Sequence, residues 1–355
     1  MSAENGSSRV RLASVGVALP PLRVTQAEAE AAMSRRYAGV LSPTSLAALR
    51  KMVLHPSIRA RHFAFDSPEQ LFAESADERA ARFCRWAVRL SAEAAGMAMA
   101  RAGLTAGDVA AVIVNTCTGY LCPGISTYLI ETMGLRRDIR CHDLLGAGCG
   151  GAVPNLELGR DMLAMLPDGA VLCVAVEICS ATFQMDNDLS LLVSNALFGD
   201  GAAACVLWTR PQGLALVDSA RVYAPEHRDI IRYVYRNGQL HNQLSPRLPR
   251  IMKHTVAEAA LAALARHGLQ AAEVPHWAIH PGGEKVINEI KSAVGLSEAQ
   301  VRLSRGVLAD YGNMSSPTVL FALDRLLAGG MAPGDWCMLV GAGAGMSAHA
   351  MLLRA

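Results

Sequence analysis

The sequence has no excess of charge of either sign. Its 33 Lys and Arg residues face 31 Asp and Glu residues, so the formal net charge of the 355-residue chain is +2. Proteins that bind nucleic acids or anionic membranes concentrate positive charge, so we expect neither as a partner.

Long apolar runs and an N-terminal targeting segment are also missing. No stretch approaches the length of about 20 apolar residues that crosses a bilayer. The first residues, MSAENGSSRVRL, lack the apolar core of a signal peptide. We therefore expect a cytoplasmic protein with a disordered tail over residues 1–9. Because 52% of the residues are hydrophobic, the chain should bury a large core.

Paired cysteine motifs are absent as well. The nine cysteines form no CxxC pair and have no nearby histidines at zinc-binding spacing. This scatter is typical of free thiols in a reducing compartment. It indicates neither a disulfide framework nor a structural metal.

One cysteine stands out by its surroundings. Cys149 lies between glycines, directly before a run of apolar residues with helical period, which ends in a turn at Pro167-Asp168-Gly169 and an apolar strand. The N–H groups and the dipole at a helix start favour a thiolate. Flanking glycines also leave room for a substrate carbonyl. The same pattern fits a small buried cysteine at a tight turn, so local sequence alone leaves both interpretations open.

The remaining periodicity predicts alternating strands and helices. Thr25 and Glu28 form a capping box that opens a short helix. Strands are predicted at 10–19, 109–115, 203–208, 214–222, 277–279, 336–340 and 346–353, and further helices at 77–103, 256–266, 284–294 and 317–327.

The chain repeats one pattern. The segment from Gly312 has the same layout as the segment from Gly148: glycine and a polar residue, a buried helix, a turn and an apolar strand. This predicts two similar α/β halves, residues 10–213 and 214–355, packed face to face. Each half would bring a helix start to the shared centre.

Three polar residues occupy equivalent element ends. Cys149 and Asn313 lie at the two helix starts, and His280 ends a predicted strand, where open α/β sheets bind ligands. Taken singly, His280 fits a structural histidine and Asn313 a helix cap. Their coincidence at one centre favours a catalytic role.

Two further features of the sequence each allow a structural and a functional interpretation. Ser57 to His62 places Arg59 and Arg61 alternately on an extended segment, which suits either phosphate binding or a solvated charged edge. Phe198, beside glycines, is either a core residue or a gate.

Several motifs together resemble the type III polyketide synthases, the chalcone synthase-like branch of the thiolase-fold condensing enzymes. These motifs are GCGGA around Cys149, ALFGDGAAA at 196–204, HPGG at His280, YGNMSS at 311–316 and GAGAG at 341–345. The likeness extends over nearly the whole chain from Val10. It implies an α/β thiolase-like fold with duplicated αβαβα layers, a homodimer, and coenzyme A thioesters as substrates without a cofactor.

The resemblance also implies residue roles. Cys149 would carry the acyl chain, while His280 and Asn313 would bind the thioester oxygen and assist decarboxylation. Phe198 would stand where the coenzyme A tunnel meets the cavity. Arg59 and Arg61 would bind the phosphates of coenzyme A, and Cys122 would line the cavity of the neighbouring subunit. The wall of the cavity would be formed by Cys117, Thr118, Thr182, Tyr233 and Ser315.

Two departures from the family pattern concern the substrate. GAGAG replaces the usual GFGPG, so a larger or more mobile cavity floor is expected at Gly341 and Gly343. Asn242 aligns with a second phenylalanine gate of relatives. We therefore predict a medium- to long-chain fatty acyl starter extended with malonyl-coenzyme A to a pyrone or resorcinol-type product.

Three alternatives remain at the sequence level. A single-round ketosynthase would take chains from an acyl carrier protein. A cysteine hydrolase also uses Cys, His and Asn, but needs neither the duplicated helix start nor the arginine segment. A non-catalytic scaffold would not need all three polar groups.

Overall fold

The computed structural model describes residues 10–67, 70, 72, 74–166, 168–236 and 238–355. The predicted tail and Pro167 of the predicted turn lie outside the described residues. The strands are β1 (Arg11–Ala18), β2 (Leu22–Thr25), β3 (Ala60–Phe63), β4 (Val109–Asn115), β5 (Arg140–Leu144), β6 (Ala170–Ile178), β7 (Asp200–Trp208), β8 (Leu214–Tyr223), β9 (Ile231–Arg236), β10 (Gln239–Leu244), β11 (His276–Ile279), β12 (Trp336–Gly343) and β13 (Ser347–Arg354). The helices are α1 (Gln26–Tyr37), α2 (Pro43–Val53), α3 (Ala76–Ala102), α4 (Ile125–Thr132), α5 (Ala152–Leu163), α6 (Leu189–Leu197), α7 (Leu248–Ala265), α8 (Glu284–Val294), α9 (Glu298–Tyr311) and α10 (Thr318–Ala328).

Capping residues set the ends of the helices. The Thr25 hydroxyl accepts the N–H of Glu28, whose carboxylate accepts the N–H of Thr25, which confirms the predicted capping box of α1. The long helix α3 ends at Gly103, whose φ of 67° lies in the left-handed region that favours glycine. The predicted helix at 77–103 is thereby confirmed.

Nine strands form one sheet in the order β11-β12-β13-β8-β1-β7-β6-β4-β5. From the central β8–β1 pair outward, each direction passes through two antiparallel pairings and then a parallel one. The strand order is therefore duplicated, as the repeated sequence pattern predicts. β5 is an additional edge strand of the first half and has no counterpart among the described strands of the second half.

The duplicated helices α5 and α10 lie between the two halves. Each contacts strands of both halves, and their apolar side chains share one core cluster, including Leu156 and Phe321. Strand residues alternate between this layer and the outer ones: in β4, Ile113 faces the central core and Val112 faces α3 and α4. The helices α7 and α8 cover the other half. This is the αβαβα layering of the thiolase-like fold.

Some predicted features need correction. The halves pack against each other through α5 and α10, but they are also joined edge to edge, because Leu12 of β1 pairs with Leu214 of β8. A division of the chain at Leu214 stays a prediction. The helices α2, α6 and α9 and the hairpin β9–β10 were missed. The hairpin mixes basic, aromatic, amide and aliphatic residues and shows no clear apolar face. No helix in the described ranges is long and apolar enough to span a membrane.

Candidate active site

Cys149 lies in a short 3₁₀ turn, Gly148–Gly150, that leads into α5. Its side chain is buried, with 6% exposure. Gly148 has a φ of 55°, which a residue with a side chain rarely adopts. The turn thus presents the thiol at the start of a central helix, where the sequence pattern predicts it.

The terminal glycine loop packs against this turn backbone to backbone. A side chain at Gly343 would place its first carbon 2.2 Å from the carbonyl oxygen of Ala147 and 2.4 Å from the nitrogen of Gly150. At Gly341 the nearest atom would be the Cα of Gly150, at 3.6 Å. Only at Gly343 does this contact require the absence of a side chain.

His280 follows the last residue of β11 and is 3% exposed. Its N–H donates to the carbonyl of Val340 at 2.8 Å, which continues the pairing of β11 with β12. Neither ring nitrogen has a hydrogen-bond partner among the described residues. A buried, unpartnered imidazole is suited to act on a substrate.

The Asn313 side chain is oriented by a backbone contact. Its Oδ1 accepts the N–H of Ser315 at 2.7 Å, so the amide nitrogen is the donor end of the side chain. That nitrogen donates to the carbonyl of Gly282 at 3.5 Å, and the N–H of Gly282 donates to the carbonyl of His280 at 3.0 Å. Gly282 thereby connects Asn313 with His280.

Ser315 links this pair to the cysteine. It has a φ of 58°, in the left-handed region, and its hydroxyl hydrogen-bonds with the Cys149 thiol. Its Oγ also lies 3.5 Å from the sulfur of Cys117. The structure therefore brings Cys149, His280 and Asn313 into one contiguous network.

Burial sets the protonation of the two reactive groups. It raises the pKa of Cys149 to about 12 and lowers the pKa of His280 to about 4. Each group is therefore neutral at pH 7 on its own. The predicted stabilisation of a thiolate by the helix start is overridden by desolvation, so a thiolate at Cys149 requires a base, and His280 is the predicted one.

A cavity of about 400 Å³ opens at Cys149. Phe198 lies in its wall and is tied to the active site through its neighbours: Asn313 donates to the carbonyl of Leu197 and accepts from the N–H of Gly199, both at 3.0 Å. The predicted wall residues that line the cavity are Cys117, Phe198, Tyr233, Asn242 and Ser315.

Comparison with known proteins agrees with this architecture. The family model described as FAE1/type III polyketide synthase-like protein matches residues 26–264, and the chalcone and stilbene synthase C-terminal domain matches residues 215–355. The chain belongs to the type III polyketide synthases. Members of this family are condensing acyltransferases, which confirms the class of enzyme inferred from the motifs.

The matches to individual relatives extend over most of this chain. The chain is 31% identical to a 1,3,6,8-tetrahydroxynaphthalene synthase of Streptomyces peucetius subsp. caesius, over 97% of this chain and 92% of the relative. It is 30% identical to a 3,5-dihydroxyphenylacetyl-CoA synthase of Streptomyces toyocaensis, over 86% and 82%. The crystal structure of the tetrahydroxynaphthalene synthase from Streptomyces coelicolor A3(2) superposes with a TM-score of 0.91 at 27% identity, covering 97% and 99%.

Four predicted cavity residues are not among those that line the Cys149 cavity. Gly341 and Gly343 pack against the turn that carries Cys149, and Ala344 lines the cavity. The Thr118 hydroxyl donates to Glu177 at 2.8 Å, and Thr118 and Thr182 line a small adjoining pocket. Thr182 also lines an apolar chamber that shares Phe198 and Asn242 with the cavity. The contact of these residues with substrate stays a prediction.

Two features of the cavity were not predicted from the sequence. Tyr120 and Tyr235 line it beside Tyr233, so the wall contains more large side chains than predicted. Glu177, the residue before the last of β6, is fully buried and accepts the N–H groups of Cys117 and Thr118 at 3.0 and 3.1 Å. Burial raises the pKa of this carboxyl group, while these hydrogen bonds oppose the rise. A charged residue in a wholly apolar strand was the available signal.

The two candidate phosphate-binding arginines have different surroundings. Arg61 is 2% exposed, and its guanidinium donates to the carbonyls of Asn195 and Phe198 at 2.7 Å and to Gln26 at 2.8 Å. It supports the Phe198 segment from inside, and its contact with coenzyme A phosphates stays a prediction. Arg59 is exposed and pairs with Asp310, so its proposed contact with phosphate stays open. Cys122 is exposed, and its role toward a second subunit also stays a prediction.

The first prediction concerns proton transfer. In His280→Ala, Cys149 must lose its proton to water, so its alkylation by iodoacetamide should accelerate about tenfold per pH unit from about pH 6 to 10. In the wild type, His280 is neutral above its lowered pKa and can accept the proton, so the rate should change little between about pH 6 and 9. Peptide mass spectrometry in a Cys117→Ser background assigns the label to Cys149. A wild-type rate as steep as that of the variant would contradict this role of His280.

The second prediction concerns the glycine contact. Gly343→Ala should reduce the free energy of unfolding by roughly 1–3 kcal/mol, the usual cost of overpacking, and should reduce acylation of Cys149. Gly341→Ala is the matched control, because its added carbon meets ordinary contact distances. Urea unfolding and mass spectrometry of the acyl-enzyme give the two measurements. Equal stability of both variants would show that the turn tolerates the displacement.

The third prediction separates the two arginines. Arg61→Met leaves two buried carbonyls and Gln26 without their donor, at roughly 1–3 kcal/mol for each unsatisfied group, so the free energy of unfolding should fall by roughly 3 kcal/mol or more. Arg59→Met loses only an exposed ion pair and should change stability by less than about 1 kcal/mol. If Arg59 holds phosphate, that variant raises the KM for acyl-coenzyme A. A stable Arg61→Met protein with a raised KM would restore Arg61 as a substrate contact.

Proposed function

We propose that this type III polyketide synthase condenses malonyl-coenzyme A onto a medium- to long-chain fatty acyl group held on Cys149. The products would be pyrones or resorcinol-type polyketides. The observation that carries the proposal is a buried chain of contacts that starts at the Cys149 thiol in the cavity wall and runs through Ser315, Asn313 and Gly282 to the main chain of His280. The His280 ring has no hydrogen-bond partner among the described residues.

The first step is acyl transfer. The Cys149 thiol gives its proton to His280, and the sulfur attacks the thioester carbon of the starter. The carbon–sulfur bond to coenzyme A then breaks, and the departing thiolate takes the proton back from the His280 imidazolium. The acyl group is left on Cys149, and the site returns to its neutral state.

The second step is decarboxylative condensation. Malonyl-coenzyme A loses carbon dioxide, and the electron pair of the broken bond forms an enolate. Its negative oxygen is stabilised by the His280 ring and the Asn313 amide, two donors held in a water-poor site. The enolate carbon attacks the acyl carbon, the bond to Cys149 breaks with release of the Cys149 thiolate, and the chain, two carbons longer, is now a coenzyme A thioester. The Cys149 thiolate attacks this thioester and releases coenzyme A, so that the chain returns to Cys149 for the next round. Repetition and ring closure give the product.

The starter is inferred from the gate position. Asn242, where relatives carry a second aromatic gate, is 6% exposed and donates to the Ser194 hydroxyl at 3.1 Å. Position 242 therefore carries no aromatic ring, and at this position a flexible chain passes more easily than a flat ring. Leu145, Ile231 and Leu240 add apolar surface to the cavity. Coenzyme A is the proposed carrier, and delivery by an acyl carrier protein is the alternative.

A second copy of the chain would complete the cavity mouth. Tyr120 and Leu145 line the cavity but are 68% and 53% exposed. Exposed apolar side chains around a functional opening are typical of a protein interface. They support the proposed homodimer, in which the loop with Cys122 reaches the neighbouring subunit.

The fourth prediction tests the starter. Rates and product masses are compared for malonyl-coenzyme A alone and with hexanoyl, octanoyl, lauroyl or coumaroyl thioesters. Each buried methylene contributes roughly 0.8 kcal/mol, so kcat/KM should rise about fourfold per added methylene until the available space ends. Cys149→Ala is the control and should form no acyl-enzyme. A preference for coumaroyl-coenzyme A, or product formation from malonyl units only, would contradict the fatty acyl assignment.

A further inference from the structure

A second, smaller chamber lies beside the catalytic cavity. Its volume is about 80 Å³, and it is enclosed by α1, β2, β3, α6 and the segment around Thr182. Most of its surface is apolar, with four aromatic rings among its larger side chains: Met33, Phe63, Phe65, Phe72, Phe183 and Leu191.

The two chambers share part of one wall. Phe198 and Asn242 line both the chamber and the Cys149 cavity. Asn242 is held in this wall by its hydrogen bond to Ser194, which also lines the chamber. The hydrogen bond between Asn242 and Ser194 therefore holds the polar side chain of the shared wall in place.

The remaining polar side chains of the chamber are already engaged. Arg61 donates to Asn195 and Phe198, and the Asn195 amide donates to the carbonyl of Gln184 at 2.7 Å. The Ser194 hydroxyl donates to the carbonyl of Ser190 at 2.7 Å, and the Thr182 hydroxyl to that of Cys179 at 2.9 Å. A polar ligand would lose its hydration without gaining partners here, whereas an alkyl group loses nothing.

We propose that this chamber binds the methyl end of the acyl chain whose carbonyl end is on Cys149. The chain enters between Phe198 and Asn242, and the volume of the chamber sets the longest starter accepted. The inference rests on the proposed function, because that function supplies the alkyl chain. It assigns Asn242 as the residue that admits the chain and Met33 and its neighbours as the residues that stop it.

Chain-length profiles test the chamber. Ala32 of α1 lines it, whereas Ala31 beside it is exposed. Ala32→Phe should lower the lauroyl-to-hexanoyl ratio of kcat/KM at least about tenfold, since excluding two methylenes costs about fourfold each. The matched control Ala31→Phe should stay within about twofold of the wild type. Met33→Ala should move the optimum to longer chains. Unchanged profiles in both Ala32→Phe and Met33→Ala would overturn the proposal.

A photolabel separates this inference from the proposed function. Dodecanoic acid with a terminal diazirine is presented as its coenzyme A thioester to the wild type and as the free acid to Cys149→Ala. Labelled peptides from α1 are the expected result in both. Wild type acylated on Cys149 but labelled only at Tyr233 or Leu240 would overturn the chamber and leave the fatty acyl starter intact.

The remaining outcomes are equally decisive. If no fatty acyl thioester acylates Cys149 while malonyl products form, the starter assignment fails. Labelling of α1 by the free acid would then still support an alkyl-binding chamber. Absence of α1 labelling in both proteins would overturn it.

Discussion

The active site depends on a direct contact between two backbones, one from each half of the duplicated fold. The turn that carries Cys149 and the end of β12 approach so closely at Gly343 that no side chain fits between them. This contact fixes the thiol relative to β12, which pairs with the strand that ends at His280. Cys149 and His280, the proposed nucleophile and base, are therefore positioned by main chain, which has few alternative conformations in a packed core.

Burial is the second constraint. It holds Cys149 and His280 neutral at pH 7, and it leaves the His280 ring without a partner among the described residues. In the proposed mechanism, charge develops only when a proton moves between them or when an enolate forms. In a dry site, fixed donors stabilise such charge more strongly than water would. Ser315 supports the arrangement from a left-handed conformation, which typically costs about 1–3 kcal/mol outside glycine.

Much of the architecture could be predicted because it follows from local patterns. Helical and strand periods, capping residues and the repeated segment predict α3, α5, α10 and their strands, and with them the duplicated layers. The convergence of Cys149, His280 and Asn313 follows from their places at element ends. Short or mixed segments such as β9 and β10 were missed because their periodicity is weak and tertiary contacts decide their conformation.

The sequence by itself determined the succession of the duplicated strands and helices and the family, and it singled out the three central polar residues, since these depend on periodicity and on motifs contiguous in the chain. Tertiary structure decided which neighbouring side chains line the cavity. Arg59 and Arg61 are two residues apart, yet one is exposed and the other binds carbonyls of a distant segment. Thr118 donates a hydrogen bond to Glu177, and Thr182 lines a second chamber. Gly343 packs against the turn that carries Cys149. The physical reason is that a side chain's partners are set by what packs against its segment, and those partners lie far away in the sequence.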